Sequence, residues 1–70
     1  MRNKAIGNFI KSKRLAKNIS TKEVAKSLNT SVEQYTQYEN GETSIYIDDL
    51  IKIADIVDVS VQELFYEYSK

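Results

Sequence analysis

Apolar residues recur at helical spacing along this chain in five stretches, and each stretch carries its own start or stop residues. Ile6, Phe9, Ile10 and Lys13 share one face of a first helix predicted from about Asn3 to Lys17. Lys17 suits the negative end of that helix, and Asn18 tolerates the left-handed backbone that follows it. Ser20-Thr21-Lys22-Glu23 announces a second helix, because a serine three residues before a glutamate forms a capping box. Ile19 precedes the cap and can staple onto Val24. Val24, Ala25 and Leu28 form the buried stripe, and Asn29 is the stop. Ser31 caps a third helix, Val32 to about Glu39, with Tyr35 and Tyr38 turned inward and Asn40-Gly41 as its end. A fourth runs from Ile47 to Val57, with Asp48 and Asp49 in its first turn and Leu50, Ile53, Ala54 and Val57 as its apolar stripe. Ser60-Val61-Gln62-Glu63 is a second capping box, opening a fifth helix that carries Val61, Leu64 and Phe65.

Two local signals compete with this pattern. Asn40-Gly41 is also hairpin chemistry, and the β-branched run from Ile51 to Ile56 favours strands by propensity. The flanks of Asn40-Gly41 are not alternating segments of matched length, and the 3.6-residue period outweighs propensity. The expectation is one all-α domain over residues 1–70, five short helices with brief connections.

Composition narrows the means of stabilisation. Seventy residues give a core worth only about 3–5 kcal/mol. Cysteine and histidine are absent, which removes disulfides and the usual zinc ligands. No metal and no cofactor is expected. Proline is absent and Gly7 and Gly41 are the two glycines, which suits helix packing. Arg2 and Lys4 are not followed by an apolar signal segment, and no run is long enough to span a membrane, so a soluble cytoplasmic protein without membrane contact is expected.

Net charge is zero, but its distribution is not uniform. Residues 1–26 hold eight basic residues against Glu23, a balance of +7; residues 27–70 hold Lys52 and Lys70 against nine acidic residues, a balance of −7. Such polarity can attract a phosphate backbone at one end, or can serve only solvation and internal pairing.

The segment from Ser20 to Gly41 carries the functional signal. Two short capped helices joined by a tight turn at Asn29-Thr30 cross steeply, and the second is pushed outward where it can enter a major groove. Ala25 is small where the two helices meet. The chain here resembles the phage repressor and Cro family of helix-turn-helix proteins, the XRE family. The matching residues run from Ile6-Gly7 and Ile10 through Lys11-Ser12-Lys13-Arg14, Ile19-Ser20, Glu23-Val24-Ala25, Leu28, Thr30-Ser31, Tyr35 and Glu39-Asn40-Gly41. They continue through Leu50, Ile53-Ala54, Val57, Val59-Ser60-Val61 and Glu63-Leu64-Phe65, so the resemblance covers about 6–65.

That resemblance implies a five-helix lambda-repressor-like fold, bacterial or phage-encoded and nucleoid-associated, that binds double-stranded DNA and regulates transcription, as a repressor. It assigns Ser20 and Thr21 to the helix start that meets a DNA phosphate. Val32, Glu33 and Gln37 face base edges, and Gln34 and Thr36 beside them touch phosphate or base. Ser31 sits on the backbone side, and Asn40, Thr43 and Ser44 follow the DNA backbone after the third helix. Gln37 can pair with adenine and Val32 can pack on a thymine methyl. Glu33 can accept from cytosine N4, act as a filter against wrong sequences, or serve only the helix dipole. The family also pairs an arginine near the end of the first helix with a glutamate at the end of the third; here these are Arg14 and Glu39. Such a pair fixes the third helix, and the guanidinium can also reach phosphate.

The chain departs from its relatives in places. Glu42 stands where many carry a basic residue, no proline lies near Ile45, Tyr46 is not a small cap, and Phe9 occupies an often polar position. An enzyme is not expected, since Asp48 and Asp49 are adjacent on a helix and point apart, and no phosphate-binding glycine loop is present. The rival reading is a protein-interaction module on the same scaffold, regulatory or antitoxin-like, that uses the acidic C-terminal half and the tail Phe65-Tyr66-Glu67-Tyr68. Phe65, Tyr66 and Tyr68 are also the candidate surface of a homodimer, whose two-fold symmetry would demand a palindromic operator.

Overall fold

The computed structural model describes residues 2–69, with side chains from 3 to 67. Five helices follow one another: α1 (Arg2–Ala16), α2 (Thr21–Ser27), α3 (Val32–Asn40), α4 (Ile47–Ile56) and α5 (Val61–Ser69). No strand occurs among the described residues. The helix pattern therefore prevails over the β-branched run and the Asn-Gly signal, and boundaries differ from expectation by about one residue.

The caps are those written in the sequence. The Glu23 backbone N–H donates to Ser20 Oγ at 3.1 Å, and the Ser20 N–H donates to Glu23 Oε1 at 3.3 Å. The same reciprocal pair joins Ser60 and Glu63. Ser31 Oγ accepts from the Gln34 N–H at 3.1 Å. Tyr46 offers α4 no side-chain cap, and Asp48 and Asp49 in the first turn supply the negative charge instead.

Each of the first four helices runs into one left-handed residue, Asn18 (φ 59°), Asn29 (φ 59°), Gly41 (φ 73°) and Asp58 (φ 60°). Behind each, a backbone N–H reaches five residues back: Ile19 to Arg14, Thr30 to Ala25, Glu42 to Gln37 and Val59 to Ala54. This closure satisfies carbonyls left open by the last turn and reverses the chain within two or three residues. Asp58 was not evident as the fourth stop. Its short polar side chain tolerates this conformation as asparagine does.

The core holds Ile6 and Ile10 of α1, Val24, Ala25 and Leu28 around α2, and Tyr35 and Tyr38 of α3. Leu50, Ile53, Ala54 and Val57 of the α4 region and Leu64 of α5 complete it. Phe9 and Ile19 are half-buried against this cluster. The accessible surface is 4578 Å². That is close to the roughly 4,500 Å² expected of a folded monomer of this mass.

Gly7 sets the spacing of α1 on α3. A methyl group there would lie 2.7 Å from the Tyr38 carbonyl oxygen and 2.8 Å from the Glu39 carbonyl carbon. Backbone, not a movable side chain, blocks it. Gly7→Ala should therefore lower stability by about 1–3 kcal/mol through overpacking. Asn8→Ala, at the exposed neighbouring position, should change it by less than about 0.5 kcal/mol. Urea denaturation of both variants checks this.

Candidate nucleic-acid interface

Two faces of α3 have opposite environments. Tyr35, Tyr38 and Glu39 are buried, whereas Glu33, Gln37 and Asn40 are exposed. The spacing of the exposed three, at i, i+4 and i+7, puts them in one stripe along the helix. Val32 flanks the stripe with 43% of its surface exposed, and Gln34 and Thr36 are half-buried at its edges.

The buried face is fixed by polar contacts as well as packing. Arg14 Nε donates to Glu39 Oε2 at 2.6 Å, a second guanidinium nitrogen donates to Glu39 Oε1 at 3.2 Å, and the third donates to the Ile19 carbonyl at 2.8 Å. One side chain thus joins α1, the turn before α2, and the end of α3. Its hydrogen bond to Glu39 raises the arginine pKa above its already high value. The expected pair is present, but the arginine side chain is only 8% exposed. Its fork is engaged by Glu39 and Ile19, and a small part of the guanidinium surface remains open to solvent.

Two tyrosines continue this lock. Tyr38 donates its hydroxyl to Asp49 Oδ2 at 2.7 Å, tying α3 to the first turn of α4. Its ring meets Tyr35 edge to face at 6.5 Å. The Tyr35 hydroxyl is buried beside the ion pair and has no hydrogen-bond partner among the described residues. Burial raises the pKa of both phenols, and the nearby carboxylates, Glu39 for Tyr35 and Asp49 for Tyr38, raise them further.

The remaining expected contacts divide. Ser20 and Ser31 use their hydroxyls as caps, and Thr21 is half-buried at the start of α2. Asn40 is exposed and donates to Glu42 Oε1 at 3.4 Å, and Ser44 Oγ accepts from Asn3 at 3.3 Å. Thr43 Oγ1 is buried and has no hydrogen-bond partner among the described residues. Phe65 and Tyr66 are exposed, at 43% and 65%, while the Tyr68 side chain lies outside the described residues. Phe9 is half-buried with Lys13 Nζ over its ring at 5.4 Å.

The sequence did not single out Tyr46, Ile47 and Ile51 as exposed apolar surface, yet they are 72%, 53% and 47% accessible. Spacing held the clue for Ile51, which falls outside the Leu50–Val57 stripe; Ile47 lies on the side of that stripe and is exposed as the first residue of α4. Lys22 and Lys26 were also passed over, although they line an open cleft beside the start of α3. No helix among the described residues is long and apolar enough to cross a membrane.

Two outcomes test this lock. Glu39→Gln or Arg14→Met alone should cost about 3–5 kcal/mol, enough to unfold much of a chain this size, because each leaves a buried charge unpaired; Arg14→Met with Glu39→Leu should recover most of it. Urea denaturation of the three variants decides. The tyrosines should separate by pH. Their folded pKa values stand above the ordinary 10.0, so above that pH the unfolded chain loses its phenolic protons first and stability falls as pH rises. At pH 7, Tyr35→Phe should cost less than about 1 kcal/mol and Tyr38→Phe about 1.5–3, since only Tyr38 loses a bond to a charged partner. The drop from pH 7 to 11 should shrink in Tyr35→Phe, as denaturation midpoints at the two pH values will show.

Comparison with known proteins agrees with this arrangement. Two crystal structures of the clp gene regulator ClgR from Corynebacterium glutamicum superpose on the chain at 20% identity. One has a TM-score of 0.85, covering 99% of this chain and 90% of that one; the other has 0.88, covering 99% and 73%. At that identity the likeness establishes the fold. No curated protein matches. The helix-turn-helix family model matches residues 10–64, which contain both the α2–α3 pair and the Arg14–Glu39 joint, and the chain belongs to the helix-turn-helix family.

Proposed function

We propose that the chain is a sequence-specific DNA-binding regulator of transcription, acting as a repressor, with α3 entering the major groove. One observation carries the reading: Glu33, Gln37 and Asn40 lie free of the core on a helix whose opposite face is anchored at Glu39 and Tyr38. A rigid rod with an unencumbered polar stripe can bring side chains to base edges at a fixed depth. Gln37 reads adenine, Val32 packs on a thymine methyl, and Glu33 accepts from cytosine or rejects other bases. Gln34 and Thr36 work at the margin. The Thr21 backbone N–H, beside the Ser20 cap, meets phosphate at the start of α2. Ser31, Asn40, Ser44 and the Thr43 backbone track the strand on the other side. That ClgR, a protein of this fold, is a gene regulator supports the assignment.

Exposed Phe65 and Tyr66 on α5 are the surface through which two copies would pair. A two-fold dimer sets the two α3 helices roughly 34–36 Å apart and reads a palindrome.

A second reading has its own support. Tyr46, Ile47 and Ile51 expose apolar surface close to Asp48 and Asp55, as a protein-docking face would. In that case the domain has weak or no affinity for DNA.

Selection from a random duplex pool separates the two. The regulator reading expects enrichment of a palindromic sequence; a pool that stays random even at low salt overturns it in favour of the docking module. Within an enriched site, Gln37→Ala should cost about 1–3 kcal/mol and relax preference at one base pair per half-site, with the other positions unchanged.

A further inference from the structure

The seven excess positive charges of residues 1–26 are not all available to a ligand. Arg14 is held by Glu39, Lys17 donates to Asp58 Oδ2 at 3.0 Å, and Lys13 sits over the Phe9 ring. Beyond α3, where a cation beside the DNA would be useful, stand Glu42 and Asp48. Lys22 and Lys26 are different. Both are exposed, and neither makes an ion pair among the described residues. The nearest acidic residue in sequence, Glu23, has its carboxylate engaged by the Ser20 cap.

These two lysines share a cleft of about 640 Å³ with Asn29, Thr30, Ser31 and Val32. One turn apart on α2, they stand about 5–6 Å from each other at the Cβ atoms, a like-charge pair that weakens an isolated helix by a few tenths of a kcal/mol. An anionic ligand spanning both would relieve that repulsion. The cleft is open, with Lys22 and Lys26 at its edge and Ala25 at its lining, and its far wall, Val32, is the first residue of the exposed α3 face. Any duplex that brings a base edge to Val32 therefore brings its own backbone toward Lys22 and Lys26.

We propose that this cleft receives the DNA backbone, and that Lys22 and Lys26 each neutralise one phosphate on the flank of the site opposite Glu42. The inference rests on the DNA-binding reading and adds to it the source of the electrostatic part of the affinity. Phosphate contacts made by lysine position the protein and carry no base information. Each contributes about 0.9 to the slope of log affinity against log salt.

The test is fluorescence anisotropy with the selected duplex and with a random duplex, from 50 to 200 mM salt. Lys22→Gln with Lys26→Gln should lower the slope by about 1.8, so that over this fourfold range its affinity falls about twelvefold less than that of the unaltered protein. Base preference should not change. Lys22→Arg with Lys26→Arg should keep the original slope, and Lys52→Gln, on the groove between α4 and α5, should leave it untouched. Thermal melts followed by circular dichroism establish that each variant is folded. An unaltered slope in the glutamine double variant overturns the proposal. So does an equal change in Lys52→Gln, which would reflect net charge alone, or a shift in base preference. If the unaltered protein binds neither duplex at low salt, this inference and the DNA-binding reading fall together; if it binds and the double variant keeps its slope, only this inference falls.

Discussion

The arrangement of this domain depends on one guanidinium. Arg14 reaches across the interior from α1, takes both carboxylate oxygens of Glu39 at the end of α3, and holds the Ile19 carbonyl just before α2 begins. Three segments far apart in sequence are thereby set at fixed distances around a single planar group. The geometry suits arginine: its fork fits a carboxylate and still leaves a donor for a carbonyl, which a lysine ammonium cannot do in the same plane. A buried pair is not an efficient source of stability compared with packed hydrocarbon. Its contribution here is direction. It fixes which face of α3 is inward, and hence which side chains are left outside.

Around that joint the backbone leaves little freedom. Four helices end on left-handed residues with the same hydrogen-bonded closure, so the turns between α1, α2 and α3 are determined by backbone geometry rather than by loop contacts. Gly7 then lets α1 lie against the last carbonyls of α3 at a distance no side chain would permit. Tyr38 and Asp49 complete the clamp from α4. The helix that presents the candidate reading face is therefore held from both neighbouring sides and at its C-terminal end, and the face itself has no part in holding it.

The sequence made the elements legible because their boundaries are local. Ser20 with Glu23, Ser60 with Glu63, and Asn18, Asn29 and Gly41 announce starts and stops by chemistry that acts within a few residues, and the inward stripes follow from the helical period. The Arg14–Glu39 pairing followed from the family resemblance. What stayed hidden depends on relations across the fold. Gly7 looks like any glycine until the α3 carbonyls stand over it. Tyr38 reads as a core aromatic until Asp49 arrives at its hydroxyl. The inward turn of Thr43 Oγ1 and the near-complete burial of Arg14 could not be told from spacing, because both depend on how the segment after α3 and the turn before α2 fold back. The exposure of Ile51 was written in the period of α4 but masked by so apolar a segment, whereas that of Ile47 follows from its place at the very start of the helix.

The separation of the two faces of α3 also bears on how such a chain can change over generations. Its stability is small, of the order of a few kcal/mol, so the buried positions tolerate little change. Glu33 and Gln37 are not bound by that limit, because they point into solvent and no core contact passes through them. Substitutions at such sites usually shift stability by less than about 0.5 kcal/mol. New side chains can be tried there one after another on an unchanged scaffold. Whatever surface the stripe recognises can drift toward a different one while Arg14, Gly7 and Tyr38 stay as they are.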